Sequence, residues 1–340
     1  MLPQDDFPSF PSDAQTIKVP ILEFLKLIEH DESESTALFE ACKLRGIFLL
    51  NLKGDARGER LLEQTMGLFS LAESLFNLDH DEKMKYALSW RNTNGYKSAG
   101  MGKIDSKGTP DRCEFYTVGR DELTGAGAAR PQPREIEEVK TSLRCFMEQS
   151  TALVFSMFTC LETHLHLPYG TFAAKHRLDE PSGSQTRLLR YEPQPPSDRR
   201  TSLVAHTDLG SLTILFNILG GLQLLVDPSL PESEDNWAYI KPIPGHAIVN
   251  VGDALATWTN GLFKSPKHRV SYAPGEQANL TRYSVAFFAR PEHQTLMTRL
   301  EGSDVVPELK EGQSDEKITA EEWHARHSAV HAAKGQETSK

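Results

Sequence analysis

The stretch TRLLRYEPQPPSDRRTSLVAHTDLGSLTILFNILGGLQLLV (residues 186–226) decides how this chain folds. It holds four short runs of β-branched and large apolar residues, at 186–191, 202–206, 211–216 and 221–226, separated by Pro, Asp, Arg, Gly and Asn. Punctuation of this kind bounds strands. The same pattern continues at 237–241, 247–251, 254–258, 268–272 and 283–290. So many short strands predict a sandwich or barrel, not a parallel sheet joined by crossover helices.

Upstream of this region the period becomes helical, and the first 170 residues read mainly as helix. Ser35 or Thr36 is a candidate cap for a segment through Leu38, Phe39 and Cys42 that stops at Gly46, and residues 47–50 form a short strand-like run. Over residues 58–76, Leu61, Leu62, Thr65, Leu68, Phe69, Ala72, Leu75 and Phe76 recur on one helical face. Asp79 with Glu82 has the spacing of a capping box. Periodicity vanishes between Trp90 and Ala129, which predicts a long loop of the lid or binding type. Residues 134–167 read as the longest helix, ended by Pro168 and Gly170. Beyond about residue 301 the chain is polar, with a late helix announced by Thr319 and Glu322 before Trp323 and Val330, and a disordered end expected from 335 to 340. The division expected is a helical region at 1–170 packing on a barrel at 171–295, then a C-terminal helix and tail at 296–340. Together they make one catalytic unit, because the helices are needed to cover the barrel.

The composition is that of a globular protein: 340 residues, 39% hydrophobic, 25% charged, with a net charge of −10. An acidic balance without clustered Lys and Arg argues against nucleic acid or an anionic membrane as partner. The longest apolar runs fall far short of the ~20 residues that span a bilayer, and MLPQDDFPSF (1–10) lacks the basic and apolar regions of a secretory signal. Cys42, Cys113, Cys145 and Cys160 show no CxxC spacing, which favours a reducing, cytoplasmic compartment.

Chemistry-bearing residues concentrate in the β-rich half. His206-Thr207-Asp208 is followed much later by His268. Two imidazoles and one carboxylate are the set that holds Fe(II) on one face with the other positions open. In extended backbone residues i and i+2 point the same way, so His206 and Asp208 can reach one ion while His268 comes from a neighbouring strand. A chain with 12 His shows one HxD by chance about once, so a surface pair stays open, as do His176, His246 and His293 as the second ligand. Arg282 and Ser284 share one face of the 283–290 strand, and an Arg fork beside a hydroxyl suits a carboxylate. A structural salt bridge is the competing reading.

The series HTDLGSLTILF (206–216), GGLQLL (220–225), VNVGDALATWTNGLFKSPKHRV (249–270) and RYSVAFFARP (282–291) resembles the iron- and 2-oxoglutarate-dependent dioxygenases of the isopenicillin N synthase type. CKLRGIFLLNL (42–52), LFNLDHDEKMKY (75–86), NGYKSAG (94–100) and DRCEFY (111–116) resemble the family's front half in the right order. The resemblance implies a fold that is mainly β with flanking helices, a double-stranded β-helix or jelly-roll barrel backed by N-terminal and central α-helices. Gly252 and Gly261 are expected in tight turns and Gly220-Gly221 in a hairpin, with Phe216, Leu224, Val251, Trp258 and Phe287 in barrel packing.

It further implies Fe(II) on His206, Asp208 and His268, the distal carboxylate of 2-oxoglutarate on Arg282 and Ser284, and Tyr191 as a cosubstrate neighbour. Arg190 and Glu192 depart from the family's usual residues beside that tyrosine. Arg190 is therefore a candidate contact for an acidic or phenolic substrate, or else a rim ion pair with Glu192. Tyr96, Lys97, Met101, Lys103, Phe115 and Phe288 are further candidate contacts. The activity implied is oxidation of a small organic metabolite by O2, by hydroxylation, desaturation or rearrangement, with release of succinate and CO2, in secondary metabolism. The enzyme is expected to be a monomer or weak homo-oligomer. A 2-oxoglutarate-independent oxidase and a non-catalytic metal-binding barrel are the alternatives.

Overall fold

The computed structural model describes residues 7–89 and 93–337, with side chains described through residue 328. Trp90 at the head of the expected loop, residues 1–6, the Val330 side chain and residues 338–340 lie outside the described residues.

Among the described residues twelve strands form two sheets. The first four are β1 (Ile21–Glu23), β2 (Ile47–Asn51), β3 (Gly95–Lys97) and β4 (Cys113–Gly119). The barrel region contributes β5 (Gln185–Tyr191), β6 (Leu203–His206), β7 (Leu212–Asn217), β8 (Leu222–Leu225), β9 (Trp237–Tyr239), β10 (His246–Val251), β11 (His268–Val270) and β12 (Arg282–Ala289). The larger sheet runs β1-β2-β10-β7-β12-β5-β4-β3 and the smaller one β6-β11-β8-β9. The sheets face each other as a double-stranded β-helix with helices on the outside.

Period-two alternation sorts the larger sheet into two faces. On β12, Val285, Phe287 and Ala289 join the core under the helices, while Ala286 and Phe288 face the smaller sheet. β10 does the same with Val249 and Val251 outward and Ile248 inward, as does β2 with Phe48 and Leu50 against Ile47 and Leu49. A one-residue slip of β12 would turn Arg282 and Ser284 into the apolar helix layer, so the buried outer face fixes the register of the inner one. The helices Ala56–Phe76 and Lys140–His164 bury Leu61, Leu68, Phe69, Phe146, Val154 and Phe158 against that outer face. Among the described residues no helix is long and apolar enough to cross a membrane.

Several expectations need correction. The helix expected behind Ser35 or Thr36 is Glu32–Leu44, and Asp31 caps it by accepting from the Glu34 amide; Ser35 lies buried inside it. Asp79 does begin the helix His80–Met84, but without a side-chain cap bond. The long helix divides at Val139 into Arg134–Glu138 and Lys140–His164. The expected loop after Trp90 carries β3 and β4, which pair with each other, and β4 also pairs with β5. Residues 254–258 are helix, Asp253–Trp258, not strand. The hairpin expected at Gly220-Gly221 is instead a crossover, since β7 and β8 belong to different sheets.

Gly252 has no turn conformation; it is required because a Cβ there would strike the Gly210 carbonyl. Phe216, Val251, Trp258 and Phe287 pack in the outer layer under the helices, leaving Leu224 between the sheets. The late helix Ala320–Glu337 has the reciprocal box, with the Thr319 amide donating to Glu322 and the Glu322 amide to Thr319 Oγ1. It continues through 335–337, where disorder was expected.

Candidate active site

β6 and β11 pair antiparallel with His206 directly opposite His268, so strand register alone brings the two rings to 4.4 Å between centroids. Asp208 follows two residues after the end of β6. Its loop is tied down by the N-terminus of the helix Asp253–Trp258: the Asp253 amide donates to the Asp208 carbonyl (2.7 Å) and Thr207 Oγ1 donates to Asp253 Oδ2 (2.8 Å). The absence of a side chain at Gly252, close against the Gly210 carbonyl, is what lets that helix sit there.

One ligand atom each from His206, Asp208 and His268 lies within 4.8 Å of the others, the one such cluster among the described residues. His206 Nδ1 meets the Val204 carbonyl at 2.8 Å and His268 Nδ1 the Pro266 carbonyl at 3.1 Å. A carbonyl can only accept, so in each ring Nδ1 carries a proton, which leaves Nε2 as the ligand atom facing Asp208. The Nε2 atoms stand 3.8 and 3.9 Å from Asp208 Oδ1, too far for hydrogen bonds. Asp208 Oδ2 accepts from Thr213 Oγ1 (2.7 Å) and Asn250 Nδ2 (2.8 Å), which aims Oδ1 at the imidazoles.

Burial, and then the neighbouring His268, lower the His206 pKa to about 4, so the ring stays neutral at ordinary pH. Burial raises the Asp208 carboxyl, but the two imidazoles and the Asn250 and Thr213 bonds outweigh it and the net shift is downward. Two imidazoles presenting Nε2 and an ionised carboxylate, converging on one point, fit a divalent transition metal such as Fe(II).

The open side of this cluster continues into a pocket between the sheets, whose wall includes Arg282, Ser284, Tyr191, Arg187 and Phe288. Arg282 is 3% exposed. Its Nε donates to the Gly220 carbonyl (2.8 Å), its Nη1 to Ser284 Oγ (3.3 Å), and its guanidinium lies 4.8 Å over the Tyr191 ring. Gly221 makes room for it, since a Cβ there would lie 3.1 Å from Arg282 Nε. Among the described residues no carboxylate pairs with it, which disposes of the salt-bridge reading, and burial lowers its pKa. A buried guanidinium without an anion is costly, and a ligand carboxylate relieves that cost. The donors therefore fit the distal carboxylate of 2-oxoglutarate.

The other histidines are occupied elsewhere. His176 is buried with Nδ1 on the Phe172 carbonyl (2.7 Å) and Nε2 against Ser211 Oγ (2.8 Å). His246 lines a separate cavity of about 550 Å3 beneath the helix Ala56–Phe76, with no metal-ligating cluster. Arg190 points to the opposite face of β5 from the pocket, pairing with Glu114 and with Glu192 (3.0 Å). Of its two sequence readings the ion pair is the one formed, so the substrate-contact reading is corrected. Tyr96 donates to the same Glu114 (2.6 Å), and Lys97 pairs with Asp111. Met101 is exposed, and Lys103 bridges to Pro110 in the loop. Of the expected contacts, Phe115 and Phe288 each lie against Arg187, a residue of the pocket wall.

Thr213, Asn250 and Arg187 escape a reading by motif. The available signal is parity: each is a polar residue at an inward position of a strand whose inward neighbours are apolar, such as Leu215, Ile248 and Leu189.

The profile of the 2OG-Fe(II) oxygenase superfamily matches residues 182–291, and that of the non-haem dioxygenase in morphine synthesis N-terminal region matches residues 19–138. A 2-oxoglutarate-dependent dioxygenase of Aspergillus fumigatus is 33% identical over 94% of this chain and 88% of its own. The 2-oxoglutarate-dependent dioxygenase frbH of a Dothideomycetidae species is 30% identical over 90% of this chain and 88% of its own. Among solved structures, a full-length Neurospora crassa protein crystallised in complex with alpha-KG has a similar fold, with a TM-score of 0.76 at 22% identity over 93% of this chain and 99% of that one. With both halves matched in order and identity sustained across nearly the whole length, the chain belongs to the 2-oxoglutarate- and Fe(II)-dependent oxygenase superfamily.

Proposed function

We propose that His206, Asp208 and His268 hold Fe(II), that Arg282 and Ser284 hold the distal carboxylate of 2-oxoglutarate beside Tyr191, and that the chain hydroxylates a small organic metabolite of secondary metabolism. The observation carrying this reading is the pairing, in one pocket, of a two-His, one-Asp cluster with a buried arginine that has no carboxylate partner among the described residues. Bound iron supplies oxidation of a substrate C–H bond by O2, coupled to conversion of the cosubstrate to succinate and CO2. The chain's own residues hold and orient. Thr213 and Asn250 fix the carboxylate, the Val204 and Pro266 carbonyls fix the imidazole tautomers, and Leu189, Leu215, Leu222 and Val270 keep the cleft apolar and limit water. Desaturation or rearrangement in place of hydroxylation depends on how a substrate is seated. Four free cysteines, three of them buried, support a reducing, cytoplasmic setting.

The test is oxygen uptake across a panel of small metabolites, with succinate measured. Uptake that requires Fe(II) and 2-oxoglutarate and yields succinate supports the reading. Substrate-dependent uptake without 2-oxoglutarate favours an oxidase, and iron binding with no uptake on any substrate favours a non-catalytic barrel.

A further inference from the structure

Among the described residues Arg282 is not the sole cation of the pocket without an ion-pair partner. Arg187, on the inward face of β5, donates Nε to Thr117 Oγ1 (3.1 Å) and stacks between Phe115 and Phe288, with Cζ at 4.1 and 5.2 Å from their ring centroids. Stacking holds the guanidinium plane and leaves its N–H edge free for a planar anion. Arg290, one strand over, lies 5.9 Å from the Phe288 ring, and its Nε is buried without a hydrogen-bond partner. One glycine makes space for it: a Cβ on Gly183 would lie 3.0 Å from Arg290 Cδ and 3.2 Å from its Nη1. Gln185, on the same face, keeps a buried Nε2 with no partner. Among the described residues neither arginine has an ion pair. Burial lowers both pKa values, that of Arg290 to about 10 with Arg187 as a further cause.

This cluster is separate from the Arg282 end. Arg282 stands opposite Tyr191 and Ala286 stands opposite Arg187, so four residues of strand, about 14 Å at ~3.4 Å each, divide the two rows. The four C–C bonds of 2-oxoglutarate, about 1.5 Å each, span at most about 6 Å, less than the spacing of the two rows. Asp208 is the one carboxylate acting electrostatically on both arginines. With a divalent metal on Asp208, the region becomes more positive still.

We infer that Arg187 and Arg290 form a second anion-binding end of the pocket, and that the substrate is a carboxylic acid whose carboxylate docks there with its apolar body against Phe115 and Phe288. This rests on the oxygenase reading above for the word substrate, but the anion site itself is built from the chain's own side chains. It names specificity-determining residues: an acid is selected over its neutral amide because the uncharged analogue leaves two partly buried guanidinium groups without an anion.

The experiment is calorimetric titration of the full-length protein with Fe(II) and 2-oxoglutarate under anaerobic conditions, where no turnover occurs. The probes are benzoate, phenylacetate and cinnamate, each beside its amide. At least one acid is expected to bind tenfold or more tightly than its amide. Arg187→Gln and Arg290→Gln are each expected to weaken that acid roughly tenfold to a hundredfold while 2-oxoglutarate affinity stays within about twofold, with Arg187→Lys intermediate. Arg282→Gln is expected to show the reverse pattern. Equal binding of acids and amides, no acid binding by protein that takes up 2-oxoglutarate, or parallel loss of both ligands in the Arg187 and Arg290 variants overturns the inference. The acid-over-amide preference is read on the wild type, so a variant that fails to fold does not remove the test. Acid selectivity in a protein that ignores 2-oxoglutarate overturns the proposed function and leaves the anion site standing.

Discussion

Replacing Arg282 by Met separates a ligand-binding arginine from a structural one, because the two roles predict opposite effects on the ligand-free protein. In that state the guanidinium is buried without a carboxylate, at an effective cost of several kcal/mol. Its bond to the Gly220 carbonyl returns about 1.5–3 kcal/mol, and its stacking on Tyr191 about 0.5–2 kcal/mol. These nearly cancel, so Arg282→Met is expected to shift ligand-free stability by no more than about 1–2 kcal/mol, in either direction. Ligand binding behaves otherwise. Two charge-assisted bonds to a carboxylate, about 1.5–3 kcal/mol each, correspond to a loss of roughly a hundredfold to ten-thousandfold in 2-oxoglutarate affinity. At a concentration 100 times the wild-type Kd, 2-oxoglutarate stabilises the wild type by about 2.7 kcal/mol and the variant by less than about 0.5 kcal/mol. Calorimetric titration with anaerobic Fe(II) gives the affinity, and thermal midpoints with and without 2-oxoglutarate give the stability. A variant that loses several kcal/mol of ligand-free stability yet binds 2-oxoglutarate as before refutes the assignment.

Thr213→Val removes one of the two donors on Asp208 Oδ2 and is expected to lower Fe(II) affinity about 10–100-fold; metal titration checks it, and unchanged affinity contradicts the orienting role. Burial holds the His176 pKa at about 4, below its unfolded value, so the unfolded chain takes up the proton first. The resulting stability is fully present above about pH 6.5, is lost as pH falls toward 4, and amounts to roughly 3 kcal/mol. Denaturation midpoints between pH 7 and pH 4.5 are therefore expected to fall less steeply in His176→Gln than in the wild type. Arg190→Ala removes one of the two cations on buried Glu114, which keeps Lys83 and Tyr96, and is expected to cost about 1.5–3 kcal/mol of stability with 2-oxoglutarate affinity unaltered. A selective loss of ligand binding there would return Arg190 to the pocket.

The barrel was legible because its strands alternate and are cut by Gly, Pro, Asn and Asp, and the His206, Asp208 and His268 set because i and i+2 on a strand share a direction. What local sequence does not contain is which face is inward. TRLLRY (186–191) offers both Arg187 and Arg190, and only pairing of β5 with β4 and β12 shows that Arg187 enters the pocket while Arg190 meets Glu114. β4 was hidden for a related reason. Glu114 lies among apolar residues yet is buried, satisfied by Lys83, Tyr96 and Arg190 from distant segments. The helix Asp253–Trp258 is shorter than two turns, too short to display a 3.6-residue period, and its start depends on the contact of Gly252 with Gly210. Arg282 and Ser284 were legible from spacing, whereas the lack of a carboxylate paired with Arg282 among the described residues is a property of the assembled pocket.

The central claim, one pocket holding iron at His206, Asp208 and His268 and 2-oxoglutarate at Arg282, is tested most directly by anaerobic addition of Fe(II) and 2-oxoglutarate while following the weak visible charge-transfer absorption of the chelate. The account predicts a band that saturates at one equivalent of iron in the wild type and is lost in Asp208→Ala. Absence of a band in wild-type protein, or an undiminished band in Asp208→Ala, contradicts it.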